Sequence, residues 1–446
     1  MATFWKFHKG IRTIGGTVIE IDADGYRLVF DMGRGFEPGS VVFDHELKPR
    51  GIRDLRRLGV APAVNGIFAG DGSRDDRPTM IAVSHMHLDH MGFFPYLRAD
   101  VPVLMSEDSH RLLQALDAVH DGPRTPLDIR PVAINSVTSW GPFAIECVAV
   151  DHDCPGTAAF FITAGDLRFV YSADLRLHGR HPDSTLDFAR RAHDFKPDVL
   201  FIEGTRADAE NNDNIVAEME LAQRIGAVAR STKAGVYVLF YPRHPERVDS
   251  FRAAAASSGR ELLLQPANAY IYAQFGGDLT GVSLYSADLE QARPELQAWV
   301  AKSGLHLVSP EELHGSEHRF IVDMTYPRMV DFVDIEPAPG GIFLHCNGTP
   351  LGPYDPSWNN LMHWLQTFDL EFTFLGSTGH GSRTDILALV KTIAPRVLMP
   401  IHSKNPERIG LTTVPRLMPA YGRVYTRADI DAAKRPTDAD LQPVAE

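Results

Sequence analysis

Residues 84–92 read Ser84-His85-Met86-His87-Leu88-Asp89-His90-Met91-Gly92, which places four potential metal ligands within six positions. Met80 to Ser84, just before the cluster, is a short apolar run of strand formers. The MGFFPYL stretch that closes it has the length of one or two helical turns, so the cluster sits at a strand-to-helix junction. Residues two apart in an extended segment point the same way, and His85 and His87 can therefore grip one ion. The turn that follows sends Asp89 and His90 towards a second position. Imidazole plus carboxylate, with no cysteine nearby, is the ligand set of a catalytic zinc rather than of a closed structural one.

More ligands are needed, and other strand ends supply them. His152 follows the apolar run Phe143 to Val150, and Asp174 follows Leu167 to Ser172. Further strands are expected at Ala158 to Thr163 and Val199 to Glu203. At the N-terminus, Thr17 to Asp22 and Tyr26 to Asp31 read as two strands joined around Asp24-Gly25, a hairpin turn.

From about Arg206 the texture changes. Asn211 to Arg230 reads as an amphipathic helix, Val236 to Tyr241 as a buried strand and Pro245 to Ala256 as another helix, an alternation that suggests a separate α/β unit with a parallel sheet. Later, Ser382-Arg383-Thr384-Asp385 has the form of a capping box ahead of an apolar helical pattern ending at Pro395, and Arg396 to Ile401 is a strand leading into His402. The implied division is 1–205, an inserted unit over 206–370, a return segment over 371–435 and a polar tail over 436–446.

Composition bounds the function. The chain has 446 residues, 44 Lys plus Arg against 57 Asp plus Glu, and a formal charge of −13, so it is not coated in basic residues. The surplus acid belongs to the middle: residues 206–375 hold 12 basic and 22 acidic side chains. With 44% hydrophobic residues the chain can bury large cores. Cys147, Cys154 and Cys346 cannot form a disulfide framework, which fits a reducing compartment, with the cytoplasm as default. No apolar stretch approaches a signal peptide core or the roughly 18 to 20 residues of a membrane span.

The ordered set Asp31, SHMHLDHMG, His152 and Asp174 resembles the metallo-β-lactamase superfamily of metal-dependent hydrolases. His402 comes 228 residues after Asp174, a gap that resembles the β-CASP nuclease branch, in which an inserted domain interrupts the lactamase fold. Glu203 in VLFIEGTR, His380 in STGHGSRTD and His402 in VLMPIHSKNPE match further motifs of that branch, and the spacing looks closest to ribonuclease J-like prokaryotic enzymes. The family often reads SGHA and PVHGE where this chain reads TGHGS and PIHSK, and ribonuclease J proper carries a further C-terminal domain.

The resemblance implies an α/β fold, the αββα sandwich of the superfamily with a β-CASP insert. It implies two Zn²⁺ per chain, with Mn²⁺ or Mg²⁺ as alternatives, one held by His85, His87, His152 and Asp174 and the other by Asp89, His90, Asp174 and His402. Asp174 would bridge, and Asp89 would also serve the catalytic centre. Asp31 would steady a ligand histidine, His380 would act as general acid and Glu203 would orient it. A histidine at the last motif is typical of members acting on RNA, so the implied reaction is RNA hydrolysis to 5′-phosphate and 3′-hydroxyl ends, by an endo- or 5′-exonuclease. A DNA nuclease or a small-molecule hydrolase on the same scaffold, and a non-catalytic subunit, are the alternatives. RNA is the implied partner, a membrane is not, and relatives often form homodimers. Ser382 and Arg383, at a helix N-terminus beside His380, are placed to hold a phosphate.

Overall fold

The computed structural model describes residues 3–442 apart from 37–41, 44, 45, 124, 125, 214 and 288. It divides into two compact units, one of residues 1–110, 123–213 and 379–446, the other of 111–122 and 214–378.

The first unit holds two sheets. One has seven strands in the order Val424–Thr426, Phe4–Lys9, Val18–Ala23, Tyr26–Phe30, Thr79–Ala82, Pro102–Ser106 and Asp128–Val132. The other has six, in the order Val397–Ile401, Val199–Glu203, Leu167–Tyr171, Ala158–Ala164, Phe143–Ala149 and Val137–Trp140. A single core joins them. Trp5, Phe7, Ile19, Ile21, Leu28 and Phe30 of the first sheet pack with Phe160, Ile162, Phe169, Tyr171, Phe201 and Met399 of the second. Alternation along the hairpin strands sends Ile19, Ile21 and Leu28 into this core and Glu20, Asp22 and Arg27 to the opposite face. There the charges are buried but paired: Lys6 lies 2.9 Å from Glu20, and Arg27 3.0 Å from Asp75. The helices Pro182–Phe195 and Arg383–Ile393 cover the six-stranded sheet with Phe188, Ala192, Ile386, Leu389, Val390 and Ile393.

Both sheets run partly parallel. Tyr26–Phe30, Thr79–Ala82, Pro102–Ser106 and Asp128–Val132 are mutually parallel, as are Leu167–Tyr171, Val199–Glu203 and Val397–Ile401. Asp31, His85, Asp174, Glu203 and His402 all stand at or just beyond the carboxyl ends of such strands, the edge at which α/β sheets bind ligands.

The second unit is a doubly wound α/β domain. Its seven strands are all parallel, in the order Leu307–Val308, Val282–Tyr285, Glu261–Leu264, Phe320–Asp323, Val236–Phe240, Ile342–Cys346 and Glu371–Phe374. Separate apolar clusters cover its two faces, one with Leu221, Ile225, Val248, Phe251 and Tyr272, the other with Leu313, Phe332, Ile335, Leu361 and Leu365. Burial on both faces explains the continuous apolar runs of its strands.

Three expectations shift. The helix expected over 211–230 is confined to Leu221–Ser231, preceded by the single turn Glu218–Glu220. The asparagine-rich run ahead of it makes side-chain bonds that compete with a helix: Asn211 Oδ1 accepts from Asp213 N (3.1 Å), and Asn212 Nδ2 donates to Asp385 (2.7 Å). The insert starts and ends later than 206–370. Residues 206–213 stay with the first unit because Arg206 donates to the His380 carbonyl (3.2 Å) and Arg383 N to the Ala209 carbonyl (2.9 Å), while Glu371–Phe374 is an edge strand of the second sheet. Finally, 111–122 belongs to the second unit, where Arg293 donates to the Asp117 carbonyl (2.7 Å) and Arg243 to Asp121 (3.0 Å).

Candidate metal centre

Five histidine rings converge on one carboxylate oxygen. Asp174 Oδ2 lies 3.0 Å from His90 Nε2, 3.5 Å from His402 Nε2, 3.8 Å from His85 Nε2, 4.0 Å from His152 Nε2 and 4.0 Å from His380 Nδ1. Around it stand two sets of donor atoms, each compact enough for one ion: His85, His87 and His152, and Asp89, His90, Asp174 and His402. Asp174 and His152 also form a third such group with His380. All seven expected ligands are therefore brought together, with Asp174 between the two sets.

Each ring is aimed from behind. Asp31, buried, accepts from Ser84 N (2.7 Å), Ser84 Oγ (2.9 Å), His90 Nδ1 (2.8 Å) and the Tyr171 hydroxyl. Tyr171 is held for this by stacking on Phe30, with ring centroids 5.2 Å apart. Since the Ser84 hydroxyl hydrogen goes to Asp31, its oxygen is left to accept from His85 Nδ1 at 3.0 Å. His152 Nδ1 donates to the Gly379 carbonyl (2.6 Å), and His402 Nδ1 sits 2.7 Å from Thr205 Oγ1. In His85, His90, His152 and His402 alike the back nitrogen is engaged and Nε2 faces Asp174. This arrangement fixes the tautomer of a metal-ligating histidine.

The backbone is bent to match. Asp31, Ala173 and His402 have φ of 56°, 55° and 50°, left-handed values that side chains other than glycine's rarely adopt. Gly33 is required by contact: a Cβ there would lie 1.4 Å from the Asp89 carbonyl oxygen. The loop carrying Asp89 and His90 thus rests on a bare backbone, tied to it by Met32 N donating to the His90 carbonyl (2.8 Å).

The donor set fits a cation. His85 Nε2 is buried with no hydrogen-bond partner among the described residues, and His90 Nε2 and His402 Nε2 approach within 3.3 Å, where two lone pairs repel unless a positive charge lies between them. Titration reflects the same field. Burial and the neighbouring His90 keep His85 neutral far below the usual histidine range, and burial holds His87 down to about 3. Burial also opposes charge on His90, but Asp174, Asp89 and Asp31 outweigh it and push its pKa well above the ordinary value. In the ion-free chain a proton on His90 takes the place of a cation. Asp174 remains ionised because His402 and His90 overcome its burial.

Beside this cluster His380 Nδ1 donates to Glu203 Oε1 at 3.0 Å. Glu203 is buried and held in turn by Leu175 N and Thr205 N, both at 3.0 Å. His380 faces both ligand sets, its ring centroid 5.2 Å from that of His152 and 5.7 Å from that of His402. Burial disfavours its charge, but Glu203 and then Asp174 reverse this and raise its pKa to about 9. Because that value lies above the unfolded one near 6.5, the contact stabilises the ion-free fold in full below about 6.5 and is lost as pH rises to about 9. Glu203→Gln removes the main opposing charge, so an NMR titration of ion-free protein should find His380 deprotonating at least one pH unit lower; an unchanged titration would refute the pairing.

Ser382 is the N-cap of helix Arg383–Ile393, accepting from Asp385 N at 3.2 Å. Arg383 pairs with Glu210 and donates to the Arg408 carbonyl (3.1 Å). Sequence reading missed Ser84, Thr205, Tyr171 and Gly33, whose roles rest on contacts far along the chain. Ser84 alone carried a local signal, as a hydroxyl directly before the first ligand.

Comparison with known proteins gives a consistent picture. Residues 64–240 match the model of the Beta-lactamase superfamily domain. Ribonuclease J of Mycolicibacterium smegmatis is 27% identical over 265 residues, covering 57% of this chain and 42% of that protein. Ribonuclease J of Pyrococcus abyssi is 23% identical over 263 residues, covering 57% of each. The chain thus spans about half the length of the curated relatives it matches. A crystal structure of a protein of unknown function from Enterococcus faecalis superposes with a TM-score of 0.78 at 25% identity, over 96% of this chain and 100% of that one.

Proposed function

From the premise that the chain belongs to the metallo-β-lactamase superfamily, on its ribonuclease J-like side, we propose that it is a metal-dependent ribonuclease hydrolysing RNA phosphodiesters to 5′-phosphate and 3′-hydroxyl ends. The observation that carries this reading is the convergence of five histidines on Asp174 Oδ2 beside a His380–Glu203 pair. It joins two ion-sized donor sets to a proton donor, the minimum apparatus for phosphodiester hydrolysis without a protein nucleophile.

His85, His87, His152 and Asp174 would hold one divalent ion, and Asp89, His90, Asp174 and His402 the other, zinc being the ion that best suits imidazole with carboxylate. Such a pair, when bound, neutralises a scissile phosphate and makes a bound water acidic enough to attack near neutral pH. The side chains do the rest. Asp31 and Ser84 keep His90 and His85 in the tautomer that presents Nε2, and Thr205 does the same for His402. Glu203 holds His380 Nδ1–H, so Nε2 is the nitrogen that passes a proton to the leaving 3′ oxygen, and Glu203 stabilises the charged ring before it does so. The polar roles fall on a centre made locally positive by its ions, which reconciles a chain of net charge −13 with a polyanionic substrate. The second unit corresponds to the β-CASP insert of that branch.

The test is cleavage of labelled RNA, single-stranded DNA and a generic ester by purified protein, with and without chelator, on RNAs bearing 5′-hydroxyl, monophosphate or triphosphate ends. Chelator-sensitive cutting of RNA above DNA and ester is expected. Preference for DNA or ester would transfer the assignment to another substrate, and activity that resists chelator would overturn it.

A further inference from the structure

Asp153 follows His152 directly and is buried with it in the first unit. Neighbours in an extended segment point to opposite sides. Here, however, the chain has left strand Phe143–Ala149 and bends: Val150 N donates to the Thr157 carbonyl (3.3 Å), and Thr157 Oγ1 to the Cys154 carbonyl (2.7 Å). The bend brings both side chains to one place. Asp153 Oδ1 lies 3.3 Å from His152 Nε2, the nitrogen that faces Asp174, and 3.9 Å from His87 Nε2.

These separations bear on coordination. Donors that share one small cation at about 2.0 to 2.2 Å stand roughly 3 to 3.5 Å from one another. His87 Nδ1 and His152 Nε2, 3.2 Å apart, meet that spacing, and so do His152 Nε2 and Asp153 Oδ1. Asp174 Oδ2 stands farther from the same nitrogen, at 4.0 Å. Gly379 makes room for the Asp153 oxygen, since a Cβ there would lie 2.2 Å from Oδ1 and 2.4 Å from His152 Cε1. The same glycine offers the carbonyl that aims the His152 ring.

Charge gives a second argument. The group of Asp89, His90, Asp174 and His402 has a carboxylate of its own besides Asp174, whereas His85, His87 and His152 contribute only imidazoles. Asp153 supplies the missing one. The geometry points to Asp153 as a further ligand of the ion at His85, His87 and His152, one that widens the choice of that site from zinc towards a harder divalent ion, Mn²⁺. Imidazole suits zinc, and carboxylate suits manganese. The inference rests on the two-ion reading above.

Ion-free full-length protein can be titrated with Zn²⁺ against a chromophoric chelator, and with Mn²⁺ by the electron paramagnetic resonance signal of the free ion. Neither readout involves turnover. Asp153→Ala should weaken the binding of one Mn²⁺ by more than about 100-fold, past the range of residues that only orient a ligand, and that of Zn²⁺ by about tenfold less. Asp153→Asn keeps the shape and an oxygen donor without the charge. It should move both affinities in the same order by smaller factors, and it serves if the alanine variant fails to fold. Unchanged Mn²⁺ affinity would overturn the inference and leave the two-ion reading intact. So would equal weakening of Mn²⁺ and Zn²⁺, the result for a residue that merely shapes the turn. Fewer than two Zn²⁺ on the wild type would overturn the two-ion reading, and the inference with it.

Discussion

His380→Ala should lower the rate of RNA cleavage by about 10²- to 10⁴-fold, the range a positioned general acid contributes, while the ion content of the protein stays at the wild-type level. The second half of the expectation follows from geometry. His380 Nδ1 faces Glu203 at 3.0 Å and stands farther from Asp174, at 4.0 Å, so both ion-sized sets can be completed without it. The choice of substrate sharpens the test. A phosphodiester with an acidic aryl leaving group needs no proton at the departing oxygen, so its hydrolysis should fall far less than that of RNA. Equal losses on both substrates would point to a structural or ligand role for His380, and normal turnover on RNA would end the assignment.

Asp174→Ala should have the opposite signature, loss of ions as well as of activity. One oxygen of Asp174 lies within 4.0 Å of five histidine nitrogens, so on the proposed bridging role its removal would take a ligand from both ions together. Elemental analysis of the purified variant should find both ions depleted, and titration an affinity loss beyond the roughly 100-fold that removing a supporting residue causes. The ion-free variant should show a second change: His90, whose charge depends first on Asp174, should titrate at lower pH. Retention of one full equivalent would mean that Asp174 belongs to a single site.

Four of the candidate ligands were legible in the sequence because they obey a local rule. A short apolar strand ends, and a histidine or aspartate follows within three residues of its carboxyl end; His85, His152, Asp174 and His402 all do so. Their supports obey no local rule. Thr205 meets His402 across 197 positions, Tyr171 meets Asp31 across 140, and neither residue type is unusual where it stands. The insert was visible through its alternation of strands and helices, but its edges were not. Residues 206–213 look like the beginning of the new unit until Arg206, Asn212 and Ala209 are seen bonded to His380, Asp385 and Arg383. Segment 111–122 gave no sign at all, since membership in a unit depends on neighbours rather than on composition.

The site gathers its candidate ligands from both sheets of the first unit, from His85 to His402. His90 and His402 are 312 positions apart, and all of the second unit lies between them in sequence. A cation shared by the two rings is therefore also a cross-link closing a very long loop, a constraint the unfolded chain does not carry, and its contribution grows with the logarithm of the free ion concentration. On the proposed reading, supply of the ion would then govern persistence of the fold as well as chemistry. A protease that nicks the inserted unit would produce two fragments still riveted together at the ligands, so a broken backbone need not mean a broken enzyme.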